Sequence, residues 1–540
     1  MGAGAAGITF GASALSVSSC TSSSKKEGED GQIMFIGDNI AVAETTNGKV
    51  RGFIHKDIYN FLGIPYGANT SGKNRFMAPQ KPEPWTEIYP AVYWPNAAPQ
   101  LLDNFYSKDR YLAFTDYWHY DDVSENCLGI NVWTQGYNDN TKRPVILWLH
   151  GGGYTSGNSI EHPEYHGENL SRRGDVVFCS LNHRLGPMGF TDFAGLGGEK
   201  YGASGNVGML DIVAALEWIR DNISNFGGDP NNVTIIGQSG GGGKVCTITA
   251  MPSAKGLFHR AVSLSGSSLG GSNKENAEKL GSYILKEAGL SVSQIDKLQE
   301  MPWRDYYALA NRASAKLNAE TGTRAGFSPV ADGVYLPQEP FYSGELSSDI
   351  PMIICTTFNE TSPSRFDSSL ENITFDGVKE QLQGRYGDKT GEIVDAYAKA
   401  FPDKKPIEIW SMVISNRQRA IEVANAKAKQ EAPVYLAWFG WDTPMFDGRL
   451  RAFHTMDIGF WFYNTDVQIS HSGGGARPRS LSGKMADTLV QFMKTGDPIG
   501  GGLPDWPGYT TENGETMILN DVSEVKNDPD REARKSLPVT

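Results

Sequence analysis

The chain is short of cysteine, of basic residues and of any long apolar run. Five cysteines in 540 residues, at irregular spacings, give neither a disulfide scaffold nor the ligand spacing of a zinc or redox site. Lys and Arg number 49 against 62 Asp and Glu, a net charge of −13. No Lys/Arg cluster interleaves with aromatics, so a phosphate backbone is repelled and nucleic acid is excluded as a partner. The uncharged stretch Met1 to Ser19 is too short and too rich in Ser and Gly to span a bilayer. Gly2-Ala-Gly-Ala-Ala-Gly7 matches a dinucleotide-binding fingerprint in letters only, because no strand precedes it.

That stretch reads instead as the apolar part of an export signal. Val17-Ser-Ser-Cys20 resembles a lipobox, which makes Cys20 the expected acylation site and the sole route to a membrane. No basic segment precedes it, and its Gly/Ala-rich character resembles twin-arginine signals, so the numbering is expected to start inside a longer precursor. Residues 1–37 are taken as this segment and its polar tail, and 38–540 as one catalytic domain. The expected location is exported: periplasmic, a cell-envelope lipoprotein, or secreted.

Beyond the tail, short and continuous apolar runs recur: Pro144–His150, Asp175–Leu181, Val233–Gly237, Arg260–Leu264, Pro351–Cys355 and Pro433–Phe439. Continuous rather than alternating apolarity predicts strands buried on both faces, as in a parallel sheet covered by helices. Ile212, Leu216, Ile219 and Ile223 form the stripe of one covering helix. The fold class expected is α/β, with a large, mostly parallel central sheet and helices on both faces.

Chemistry enters at Gly237-Gln-Ser239-Gly-Gly241, a G-x-S-x-G strand-to-helix elbow. With 62 glycines the pattern alone arises about 0.6 times by chance, and a second match stands at Gly266-Ser-Ser268-Leu-Gly270. Ser239 follows a buried strand and opens a Gly-rich segment able to become a helix, whereas Ser268 runs into a loop; Ser239 is preferred. Gly237 to Lys244 also resembles a phosphate-binding loop. Gln238 in place of Gly, and Val245 in place of a hydroxyl for magnesium, exclude that reading. Upstream, His150-Gly-Gly-Gly153 closes a buried strand, where bare backbone N–H groups can approach a substrate carbonyl as oxyanion donors.

These motifs, with Phe61–Tyr66, Ser124–Asn131, Asn182–Gly186, Gly205–Gly208, Phe226–Pro230 and Leu257–Ala261, resemble the type-B carboxylesterase (carboxylesterase/cholinesterase) family from about Val42 to about Asp521. The resemblance implies an α/β-hydrolase fold and a serine carboxylic-ester hydrolase acting on small-molecule esters through an acyl-enzyme. It implies Ser239 as nucleophile, Glu360 in Cys355-Thr-Thr-Phe-Asn-Glu360 as acid, and His454 in Arg451-Ala-Phe-His454-Thr-Met-Asp457 as general base. It gives the oxyanion donors as the amides of Gly152, Gly153 and Gly240. It implies no cofactor, and His162-Pro-Glu-Tyr-His166 is no metal motif, because Pro163 stands where the Glu would be. Amides, lactones or thioesters could be cleaved by the same triad, and a non-catalytic binding relative is the reading from another class. Oligomeric state is not legible.

Four departures from the family stand out. Gln238 replaces its Glu and removes a charge beside the nucleophile. Gly240 replaces its Ala. Lys244 replaces a small residue and reads either as a solvent-facing helix charge or as a specificity residue. Ala98-Pro-Gln100 lacks the cysteine that would pair Cys127, so Cys127 is expected to be a free thiol, and Cys179, Cys246 and Cys355 to be small buried residues.

Overall fold

A computed structural model describes residues 31–101 and 122–538; Cys20 and the Met1–Ser19 stretch lie outside them. Twelve strands form the central sheet: β1 (Met34–Phe35), β2 (Phe53–His55), β3 (Ile58–Pro65), β4 (Gly129–Thr134), β5 (Arg143–Leu149), β6 (Val177–Leu181), β7 (Gly228–Gln238), β8 (Arg260–Leu264), β9 (Met352–Thr357), β10 (Val434–Phe439), β11 (Glu515–Leu519) and β12 (Glu524–Asn527). Their order is β1-β2-β3-β4-β6-β5-β7-β8-β9-β10-β11-β12. Every neighbouring pair from β6 to β11 is parallel, and the flanking pairs are antiparallel. A small second sheet joins Val42–Thr45, Gly48–Arg51 and Tyr89–Pro90.

All six apolar runs are strands of the parallel core. The pleat explains why they read as unbroken: alternate residues enter different apolar layers. Val145, Leu147 and Leu149 join one layer with Ile212, Leu216 and Ile219 of α1 (Val207–Asn222). Ile146 and Trp148 join the other with Leu481, Met485 and Leu489 of the helix Ala476–Thr495. The antiparallel strands β3 and β4 occupy two of the segments that carry the family resemblance, Phe61–Tyr66 and Ser124–Asn131, which periodicity had not marked as strands.

Chain order and sheet order part company at β5. From β5 the chain passes to β6 on one side, then returns through α1 to β7 on the other. A crevice opens at the carboxyl ends of strands where the direction reverses in this way. Arg184, just after β6, anchors the crossing through a fully buried two-pronged ion pair with Asp211 of α1, at 2.6 and 2.8 Å. The four cysteines at 127, 179, 246 and 355 are buried and unpaired.

Candidate active site

Leu149 of β5 is registered against Gly237 of β7, so the two strands release the His150–Gly153 loop and Ser239 side by side. Ser239 sits between β7 and α2 (Gly240–Thr249) at φ 57°, ψ −124°, a conformation few L-residues adopt and one that costs on the order of 1–3 kcal/mol. The elbow is held by neighbours rather than by local preference. Ser239 N–H donates to Leu264 O at 2.8 Å, and Gly243 N–H donates to Ser239 O at 3.1 Å. A Cβ on Gly241 would lie 2.0 Å from Leu149 O, so only glycine lets α2 start this close to β5.

The loop His150–Gly153 is as tightly seated. Gly152 and Gly153 have φ of 80° and 63°. A Cβ on Gly240 would lie 2.2 Å from Gly153 O and 2.4 Å from its Cα and N. The three expected donors, Gly152, Gly153 and Gly240, are therefore neighbours in space.

Glu360 and His454 come from distant stretches of chain that meet through Asn359, bridged in parallel to Phe453. His454 Nδ1 lies 2.5 Å from Glu360 Oε2, and Glu360 Oε1 accepts from Thr357 N–H at 2.9 Å. The Glu360 side chain is 3% exposed and that of His454 29%, which shields the carboxylate and leaves the imidazole reachable. Burial alone would lower the His454 pKa, but the adjacent Glu360 carboxylate overrides it and holds the group above its ordinary value. Thr455, which follows, has φ 77°, a second strained position for a β-branched residue.

Two features were not foreseen from the sequence. The Gln238 carboxamide lies against the His454 ring, its Nε2 3.2 Å from His454 Nε2 and 3.4 Å from Nδ1. Near-equal distances to both ring nitrogens place the amide over the face of the imidazole rather than along the in-plane Nε2 lone pair, while Nδ1–H is turned to Glu360. Among the described residues the Ser239 hydroxyl makes no hydrogen bond. Asp457, fully buried three residues beyond His454, accepts from Trp461 Nε1–H at 3.2 Å. Burial first, and then the charge of Glu360, push its pKa from 3.8 to about 7. Its place in the histidine motif was the only signal.

One of the two readings of Lys244 fails. Lys244 is not a solvent-facing charge but is wholly buried, its Nζ donating to His150 O at 2.9 Å. The position that would face solvent on an isolated helix is here covered by the loop after β5. The rival Ser268 lies in a loop after β8, its Oγ bonded to Gly270 O, and the next helix begins only at Lys274. Phe190, Phe460, Trp461 and Phe462 are core residues, 0–2% exposed.

Comparison with known proteins follows from this geometry. Residues 39–536 match the model of the carboxylesterase family. The chain is 33% identical over 505 residues to the para-nitrobenzyl esterase of Bacillus subtilis (strain 168), covering 92% of this chain and 98% of that protein. It is 31% identical to the phenmedipham hydrolase of Pseudarthrobacter oxydans, over 89% of this chain and 95% of that one. Among solved structures, an esterase from the anaerobe Clostridium hathewayi, described as able to hydrolyse aliphatic aromatic polyesters, superposes with a TM-score of 0.82 at 34% identity, over 93% of this chain and 98% of its own. The chain thus belongs to the carboxylesterase family and is a carboxylic-ester hydrolase of the α/β-hydrolase fold.

Proposed function

We propose that Ser239, His454 and Glu360 carry out the hydrolysis. The observation that carries this reading is the His454–Glu360 pair beside an elbow held at φ 57°. Neutral His454 accepts the Ser239 proton at Nε2 as Oγ attacks the ester carbonyl. The Ser239–His454 hydrogen bond forms with substrate in place, as catalytic hydrogen bonds commonly do. The amides of Gly152, Gly153 and Gly240 receive the developing oxyanion. Glu360 keeps Nδ1 protonated and offsets the imidazolium. His454 then protonates the departing alcohol, and water repeats the sequence on the acyl-enzyme. Ser239→Ala is expected to abolish turnover of p-nitrophenyl acetate and butyrate while thermal unfolding stays unchanged. Activity near that of the wild type would overturn the assignment. A panel varying acyl and alcohol parts separately, with a matched anilide, ranks the substrates; the ester is expected to have the higher kcat/KM.

We further infer that the protein is bacterial and exported, with Cys20 lipidated and 38–540 forming one catalytic unit. The uncharged Met1–Ser19 stretch before Cys20 supports the first part, and the family match across 39–536 supports the second. Metabolic labelling with a radioactive fatty acid is expected to mark the wild-type protein and not Cys20→Ser. Equal labelling, or none, would overturn the lipid assignment.

A further inference from the structure

Lys244 is the fifth residue of α2, five positions beyond the nucleophile, and no part of it is exposed. Among the described residues its ammonium makes one hydrogen bond, to His150 O, and has no carboxylate within 4.0 Å. An ammonium buried with a single acceptor is costly to keep, and an apolar side chain of similar volume would fill the same space more cheaply. Stability therefore does not explain it.

The bond falls on the residue that opens the oxyanion loop. His150 Nδ1 in turn lies 2.9 Å from Gly151 O, and that carbonyl shares a peptide group with the Gly152 N–H. A hydrogen bond accepted at the oxygen of a peptide strengthens its N–H as a donor. The His150 ring stacks on His183, with centroids 5.2 Å apart, and His183 Nδ1 donates to Arg184 O at 2.9 Å. Burial, reinforced by the Lys244 charge, holds both imidazoles well below their ordinary range, so both stay neutral with Nδ1 protonated. Gly157 closes over the same ring: a Cβ there would lie 2.5 Å from His150 Nδ1.

We propose that Lys244 is a positioning residue for ester hydrolysis, its ammonium fixing the His150 carbonyl and through it the loop that carries the Gly152 and Gly153 donors. The proposal rests on the reading of those amides as the oxyanion hole. The device is pH-dependent. Burial, opposed by the Glu161 charge, brings the Lys244 pKa down to about 7. The titratable groups whose fields couple to it are Glu161, His150 and His183, and both imidazoles stay neutral. As pH rises through 7 the ammonium becomes an amine, whose hydrogen bond to the His150 carbonyl is weaker without its charge, so the donors are best held on the acid side of neutrality. His454 works in the opposite sense, since it must be neutral.

The test is the pH profile of kcat, and of inhibition by an alkyl trifluoromethyl ketone, whose hemiketal places an oxyanion in the hole. Lys244→Met is expected to lower kcat and weaken the ketone about tenfold at pH 6.5, with KM unchanged and the difference from wild type shrinking above pH 8.5. Its Tm at pH 6.5 should equal or exceed that of the wild type, whereas a merely structural lysine would lower it. Lys244→Gln, one bond shorter and uncharged, should show the same loss of pH dependence, and it carries the test if the Met variant does not fold. Profiles that coincide with the wild type in kcat and ketone affinity overturn the proposal. Diethyl p-nitrophenyl phosphate separates the two readings: attack by Ser239 Oγ forms a P–O bond and expels p-nitrophenolate. Failure to label Ser239 in the wild type would sink the site assignment itself, and labelling with unchanged Lys244 variants would sink only the role of the lysine.

Discussion

Asp457→Asn isolates the cost of a buried carboxylate placed next to the Glu360–His454 pair. Asp457 is 0% exposed, and its Oδ1 has no hydrogen-bond partner. Its pKa of about 7 in the folded protein compares with 3.8 as the ordinary value. A carboxylate raised in this way binds its proton more tightly in the folded state. Its contribution is intact below pH 3.8 and is lost as pH climbs to about 7. By linkage, the wild type has given up about 2 kcal/mol at pH 5 and about 4 kcal/mol at pH 8. Asn is close in volume, carries no charge at either pH, and can still accept from Trp461. The variant should therefore be the more stable protein, with an advantage about 2 kcal/mol larger at pH 8 than at pH 5. Urea unfolding at the two pH values reads this directly. An advantage that is equal at both, or smaller at pH 8, would refute the reasoning. Because the Asp457 charge also helps to raise the His454 pKa, the acid limb of kcat/KM should move to lower pH in the same variant.

Gln238→Glu puts a carboxylate where an amide now touches the His454 ring. An opposite charge that close favours the imidazolium, so the acid limb of kcat/KM should rise by at least about one pH unit; an unmoved limb would show that residue 238 does not address the base. Gly240→Ala adds a Cβ 2.2 Å from Gly153 O. Relief requires the Gly152–Gly153 loop to retreat by roughly 1 Å, which should cost about 10- to 100-fold in kcat with little change in KM if that loop holds the oxyanion, and an unchanged kcat would contradict the packing described.

Sequence reading worked best where one physical cause acts locally. Residues 144–150 and 433–439 are apolar without alternation because both faces of those strands are covered, and that pattern survives in the sequence whatever the neighbours are. Strands β3 and β4 are also covered on both faces, but Asn60 and Gly63 interrupt one and Asn131 and Thr134 the other, so neither reads as an unbroken apolar run. The pentapeptide at Ser239 was nearly indistinguishable from that at Ser268 until the helix that follows was considered. The solvent-facing reading of Lys244 failed for a related reason. A charge on a helix is normally solvated, and only the fold of residues 150–157 over α2 takes it out of water. The contact between Gln238 and His454 joins positions 216 residues apart, a separation across which no spacing rule operates.

The sequence by itself therefore determined the layered α/β architecture, the elbow and the Gly-rich loop, because hydrophobic periodicity and glycine's backbone freedom are properties of short segments. Tertiary structure alone decided which loops became neighbours, through the reversal of strand order at β5. It also decided what each titratable group faces. Burial and the field of nearby charges move His454, Asp457 and Lys244 away from their ordinary values, and both depend on groups that arrive from elsewhere in the chain.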